Sequence, residues 1–434
     1  MSNRTLIEEV RGRRVWDSRG RPTVEAEVTL SDGSLGRAIA PAGASTGSAE
    51  ALDRRDGGAA FGGYDVRQAV LAVDSEFAPA IRGLDATDQA LVDQRLIETD
   101  GAADKSRLGA NASIAISMAV AHAAAAAAGQ PLYRYLAGDR ALILPLPEIQ
   151  IFGGGAHAGR RVDIQDFMVV CPAAATFAEA LDWTAEVYRA AGTLLDEAGR
   201  LAGVADEGGF WPAFDTNEQA LDMLVRAIEK AGFRPFEQVG IALDIAASEF
   251  GKDGRYRLAL EDRELDSGEM IALLQSWLER YPILSIEDPL AEDDIDGFRM
   301  FTALAGDSLQ IIGDDLLVTD AERVHRAAAL NAGNALLVKP NQRGTLTETK
   351  SAFDAARIAG FDTIVSARSG ETEDVTIAHL AVGWNAGQLK VGSFSRSERM
   401  AKWNEVLRIE EWLGHSATFA GRKALRGGGL FSNG

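Results

Sequence analysis

Short apolar runs alternating with amphipathic stretches, from about residue 160 onward, constrain the fold of this chain more than any other feature. The runs are DIQDFMVV, LAGVADEGG, VGIALDIA, YPILSIEDP, LQIIGDDL, NALLVKPNQ, FDTIVSARSG and LKVGS. A strand buried on both faces, as in a parallel sheet, must be apolar nearly throughout, whereas a half-solvated strand alternates. Between the runs, stretches such as NEQALDMLVRAIEKAG and TLTETKSAFDAARIAG carry apolar residues three and four positions apart, the spacing of a helix with one buried face. Strand–helix alternation repeated this often predicts an α/β protein whose sheet closes into a (β/α)8 barrel. A doubly wound open sheet is the alternative.

The N-terminal part has a different texture. TVEAEVTLSDGSLGRAIAP alternates like a strand on each side of Asp32-Gly33, which predicts a hairpin. Helical patterns follow at about 65–82, 87–98 and 110–128, giving an α+β unit. The segment PLPEIQIFGGG, with its prolines and terminal glycines, reads as the entry to a second unit. The predicted division is an N-terminal α+β capping domain over 1–135 and a barrel over 136–434, in keeping with two domains for 434 residues.

The formal net charge of −20 argues against nucleic acid or an anionic membrane as partner. An anionic small molecule would need local cations to overcome that field. A single cysteine, Cys171, allows no intrachain disulfide and points to a reducing compartment. The first residues contain no apolar core of signal-peptide length, so a cytoplasmic location is expected. The most membrane-like stretch, residues 110–129, is mostly alanine and is broken by Asn111, Ser113, Ser117 and His122. It reads as a buried helix rather than a span.

What ends the apolar runs carries the chemistry. Glu207, Asp244, Glu287, Asp314, Lys339, Arg368 and Lys390 follow one another at those ends, where barrel enzymes place their catalytic groups. One such residue reads equally well as a solvated loop; a succession of them does not. Asp244, Glu287 and Asp314 are hard oxygen donors with no Cys or His among them, a set suited to Mg2+, although they also read as salt-bridge partners of the lysines. Asp288 and Asp315 read as supports for these ligands or as partners of the lysines. Lys339 and Lys390 share the rim, and a lysine near another cation and a metal has its ammonium form disfavoured, which suits a base. GGGAHAG, residues 153–159, lacks the spacing and context of a dinucleotide loop and reads as a mobile loop carrying His157. His122, His325, His379 and His415 read as structural.

The chain resembles the enolase family nearly end to end. The resemblance is carried by DSRGRPTVEAEV, AGASTGSAEAL, HAGRRVDIQDFM, DEGGFWP, LDIAASEF, SIEDPL, GDDLLVT, LVKPNQRGTLTET, ARSGETEDVTIAHLAVG and KVGSFSRSERMAKWN. It implies a barrel with irregular first strands, and a homodimer or an assembly of dimers. It also implies a Mg2+-dependent hydro-lyase that converts 2-phosphoglycerate to phosphoenolpyruvate in glycolysis. Position by position, Asp244, Glu287 and Asp314 match the ligands of a first Mg2+, and Ser45 matches a ligand of a second that arrives with substrate. Lys339 matches the base, and Glu207, partnered by Asp166, the acid. Arg368 and Ser369 match the phosphate clamp, Lys390 the carboxylate contact, and His157 and Gln165 further substrate contacts. Lys or His bases beside Mg2+ are a known device of such sites.

Some positions depart from the family pattern. Ala367 stands where a histidine is usual, Asp166 where a glutamate is, and Gly153 where an asparagine is. Pro340 and Arg343 alter KxNQxG, and Arg160 replaces a small polar residue. One reading is drift within an ordinary enolase. Another is a larger or more anionic phosphorylated or phosphono carboxylate substrate, as for carboxyphosphonoenolpyruvate synthase. A third, of another class, is a non-catalytic binding or scaffolding paralogue.

Overall fold

The structure, a computed structural model, describes residues 4–426. Its N-terminal part is an antiparallel meander of β1 (Ile7–Trp16), β2 (Pro22–Leu30) and β3 (Leu35–Ile39), with the expected hairpin turning at Gly33. Helical segments cover 67–81, followed by α1 (Gln89–Asp100) and α2 (Ala110–Ala127). Helix α2 is long and apolar enough to cross a membrane, yet 83% of it is buried inside the protein. Its alanines let it lie unusually close to the sheet. A Cβ on Gly36 of β3 would stand 2.1 Å from the Ala119 carbonyl oxygen, so that contact needs both the glycine and the small helix face.

The remainder is a closed barrel of β4 (Leu146–Gly153), β5 (Asp166–Val170), β6 (Gly240–Asp244), β7 (Ile283–Glu287), β8 (Gln310–Gly313), β9 (Ala335–Val338), β10 (Asp362–Ser366) and β11 (Gly387–Ser393). From β6 through β11 and on to β4 every neighbouring pair is parallel. Strand β5 alone runs antiparallel to both its neighbours, joined to β4 with only a single short turn, Gly155–Ala158, and no α-helix between. Two helices, α3 (Phe177–Glu197) and α4 (Asn217–Lys230), then precede β6. Thr176 and Thr216 cap them, each hydroxyl accepting an N–H of the first turn.

Two expectations about the strands need correction. LAGVADEGG is not a barrel strand; it is a loop between α3 and α4 held by isolated bridges of Phe210 to Val204 and Phe152. The strand missing from the count is LPEIQIFG, read from sequence only as a domain entry. Its Pro147 lies near the strand start, where a missing N–H costs the ladder little. Inside the barrel this strand also carries two fully buried polar residues, Glu148 and Gln150, which disguised it further.

Candidate active site

Because β6 to β10 run the same way, their C-terminal ends form one rim. Asp244 and Glu287 are the last residues of their strands, while Asp314 and Lys339 follow theirs directly. Antiparallel β5 presents its first residue to the same rim, in register with the end of β6: Asp166 pairs with Asp244. A strand running backwards therefore brings its start, not its end, to the chemistry. Ten of the twelve residues singled out from sequence line a single cleft: Ser45, His157, Gln165, Asp166, Glu207, Asp244, Lys339, Arg368, Ser369 and Lys390. Glu287 and Asp314 are buried beside it.

The carboxylates and lysines interlock. Lys390 Nζ donates to Asp244 Oδ2 at 2.7 Å and to Glu287 Oε2 at 2.8 Å, while Lys339 Nζ donates to Asp314. Gln165 adds a bond to Asp244 Oδ2 at 2.9 Å, and Gln342 one to Asp314 Oδ1 at 2.9 Å. Burial, then Asp244, pushes the Glu287 carboxyl well above its ordinary range. Its Oε1 is buried with no hydrogen-bond partner among the described residues. An orphaned carboxylate oxygen among further acidic oxygens suits a hard divalent cation. Among the described residues, the groups with one donor atom from each member within 4.8 Å of the others are instead His157–Asp166–Glu207 and Asp288–Asp314–Asp315. In the Asp244–Glu287–Asp314 set ammonium groups bond to all three carboxylates, Lys390 to the first two and Lys339 to the third.

Asp288 does not pair with a lysine. Its carboxylate accepts the backbone N–H groups of Asp314 at 2.9 Å and Asp315 at 2.8 Å, so it holds the turn after β8. It does so from a left-handed backbone, φ 41, which a non-glycine residue adopts only when its surroundings enforce it. Lys339 also needs a correction. Burial is the largest influence and opposes its charge, but Asp314 and Glu287 together with the smaller favourable contacts hold the ammonium above its ordinary value.

Across the cleft, His157 Nδ1 lies 3.5 Å from Glu207 Oε1 and 3.9 Å from Asp166 Oδ1. It sits in a buried single turn, Gly155–Ala158. Burial alone would lower the imidazole pKa, but Glu207 and Asp166 raise it. Burial likewise opposes ionisation of Asp166, yet His157 and Lys390 hold it at about 2. Asp166 is thus a fixed negative charge beside Glu207.

The cap supplies the third wall. Arg368 is buried, with Nη1 on Glu50 Oε2 (3.1 Å) and Asn341 (3.0 Å), and Nη2 on Glu50 Oε1 (3.1 Å) and the Ser45 carbonyl (2.9 Å). Ser369 Oγ accepts from Arg19 Nη1 at 3.1 Å. Glu50 and Arg19 were missed from sequence. They lie within the quoted motifs AGASTGSAEAL and DSRGRPTVEAEV, and only the fold shows which motif residues face the barrel.

Comparisons with known proteins agree over both parts. Residues 7–136 match the family described as "Enolase, N-terminal domain" and residues 141–427 "Enolase, C-terminal TIM barrel domain". The chain is 51% identical over 416 residues to a protein named "Enolase" from Acidothermus cellulolyticus, covering 96% of each. It is 49% identical over 430 residues to "Enolase 1" from Desulfitobacterium hafniense, covering 98% of each.

The chain belongs to the enolase family.

Within that family the departures take on different weights. Arg343 bonds to Asp320 at 3.0 Å and lies 3.7 Å from Glu348, and exposed Arg160 bonds to Glu249 at 2.7 Å. Neither lines the cleft, so they do not add positive charge to the enolase site. Gly153 leaves no open room: a Cβ there would stand 2.9 Å from Ala205 Cβ. Ala367 and Asp166, each smaller than the usual residue, both line the cleft. The cleft is nearly filled by its own side chains, with about 20 Å3 of free cavity volume, well below the roughly 300–1,000 Å3 of drug-sized ligand sites.

Proposed function

We propose that this protein is a Mg2+-dependent enolase, a hydro-lyase that dehydrates 2-phosphoglycerate to phosphoenolpyruvate in glycolysis. The observation that carries this is the single cleft onto which ten of the twelve expected residues converge, in a chain about half identical to named enolases. The alternatives, a larger substrate or a non-catalytic paralogue, are not favoured: those relatives match nearly end to end and the added arginines face elsewhere.

Asp244, Glu287 and Asp314 would hold a first Mg2+ and Ser45 would help hold a second that enters with substrate. When bound, the ions supply positive charge where abstraction of the α-proton would otherwise build a dianion. Lys339 takes the proton from the carbon next to the carboxylate. It first releases its own proton, which requires a looser tie to Asp314. Lys390 faces the substrate carboxylate, and Arg368 with Ser369 holds the phosphate through planar N–H donors and a hydroxyl. Glu207 gives a proton to the departing hydroxyl, so the carbon–carbon double bond forms as water leaves. Asp166, already ionised, orients His157 and Glu207, while His157 and Gln165 contact the substrate. A cytoplasmic homodimer or assembly of dimers belongs to the same proposal, as does the division at about residue 135.

Absorbance of phosphoenolpyruvate, followed with and without Mg2+, tests the reaction. Turnover of about 1–10³ s⁻¹ that disappears on chelation is expected. No product at millimolar 2-phosphoglycerate would sink the assignment. Light scattering tests the dimer.

A further inference from the structure

Strand β4 is buried along its whole length, yet it carries Gln150 into the barrel interior fully shielded from solvent. The carboxamide is committed at both ends. Its Nε2 donates to Asp166 Oδ1, and its Oε1 accepts the Gly209 N–H at 2.8 Å. The backbone carbonyl of the same residue accepts from Ser393 Oγ at 2.5 Å, which fixes the point from which the side chain reaches. Gly209 closes the loop that contains Glu207, and that loop is stitched back to β4 through Phe210 N to Ile151 O and Gly153 N to Phe210 O, both 2.9 Å. One side chain therefore joins the two carboxylates of the acid side, one directly and one through its loop.

The space around the carboxamide is made for it. A Cβ on Gly209 would come within 2.4 Å of Gln150 Oε1, and one on Gly153 within 3.3 Å of Nε2. On its remaining side is Asp166, whose Oδ2 is buried without a hydrogen-bond partner among the described residues and lies 3.6 Å from Lys390 Nζ. One more methylene at position 166 would drive that carboxylate into the carboxamide. One fewer at position 150 would leave Asp166 Oδ1 and the Gly209 N–H without their shared partner.

We infer that Gln150 is a positioning residue for the acid pair, and that its length, together with Gly153, is matched to the short side chain at position 166. Gly153 and Asp166 are thereby parts of one repacked unit rather than separate losses. The inference rests on the proposed roles of Glu207 and Asp166, and its test can fail independently of them.

The test is a cycle of wild type, Gln150→Asn, Asp166→Glu and the double variant. Each single change is expected to lower kcat for dehydration by about 10²-fold, the usual cost of ångström misplacement, with KM within about threefold. The double variant, which shortens one partner and lengthens the other, is expected to recover to within about tenfold of wild type. Exchange of the substrate α-proton, which depends on Lys339 across the cleft, stays near wild type in Gln150→Asn. NMR titration of His157 in substrate-free protein should fall toward the ordinary imidazole value in Gln150→Asn and recover in the double variant. Unchanged kcat in Gln150→Asn, or losses that multiply in the double variant, would overturn the inference. If wild type forms no phosphoenolpyruvate, the proposed reaction falls and the His157 cycle decides alone: coupled shifts support the clamp and independent ones reject it. If Gln150→Asn melts far below wild type, the isosteric Gln150→Glu replaces it. That variant sets a carboxylate against Asp166 and should displace the acid limb of the pH–rate profile; an unmoved profile rejects the clamp.

Discussion

On the rim formed by β6 to β9, each chemical group sits at or just after a strand end, whereas on the β4–β5 side the groups are delivered by a reversed strand, a single turn and a loop. In the first region backbone regularity sets the spacing, and Asp244, Glu287, Asp314 and Lys339 need little beyond the barrel ladder to face one another. In the second, the ladder places only Asp166. His157 and Glu207 are then aligned by side chains, above all Gln150. The base and metal side should therefore respond to loss of a group, and the acid side to changes in the length of its supports.

The largest expected effect is on the regular side. Lys339→Ala should lower α-proton exchange by about 10²–10⁴-fold while leaving Mg2+ binding nearly intact by calorimetry. Retained exchange would remove Lys339 from its role. On the other side, Glu207→Gln should cut dehydration by about 10²-fold yet preserve exchange, because abstraction does not need the leaving-group acid. Parallel loss of both activities would mean that the two sides do not divide the labour.

A smaller effect concerns Glu148, below the rim. It is fully buried; Gln388 Nε2 donates to its Oε1 at 2.7 Å, and Oε2 has no hydrogen-bond partner among the described residues. Burial, partly offset by Lys390, raises its carboxyl from 4.5 to about 7. The folded protein thus holds a proton that the unfolded chain releases near 4.5, so this contribution to stability is full below that value and lost as pH rises through 7. Glu148→Gln keeps the acceptor for Gln388 and removes the titration. Between pH 5 and 8 the variant should gain on wild type by up to about 3 kcal/mol in urea unfolding. Parallel curves would show that Glu148 does not titrate there. The smallest effect is expected from Arg160→Ala and Arg343→Ala, whose guanidinium groups bond to acids outside the cleft. KM for 2-phosphoglycerate should move by less than about twofold, and a tenfold rise would return them to the site.

The barrel and most of its site were legible because buried parallel strands need unbroken apolar runs and end in the groups they present. Where that rule failed, the cause is specific. Leu146–Gly153 does not read as a strand because Pro147, Glu148 and Gln150 break the apolar pattern, although all are buried in place. LAGVADEGG reads as a strand by composition, but its apolar start is exposed at Leu201 and only the end around Glu207 is buried, as a loop beside the cleft. The reversal of β5 was invisible from residues alone, since an apolar run carries no direction. Glu50, far from Arg368 in sequence, became visible only through the buried ion pair they share.

By itself the sequence determined the strand–helix alternation, the family and the identity of the acidic and basic groups at the strand ends, because local periodicity and side-chain chemistry are written residue by residue. The tertiary structure alone decided that Arg160 and Arg343 face away, that Lys339 rests charged on Asp314, and that Gln150 ties Asp166 to the Glu207 loop. Those outcomes depend on distances between residues remote in the chain. In a buried site, a shift of one ångström or the approach of one counter-charge settles both geometry and protonation.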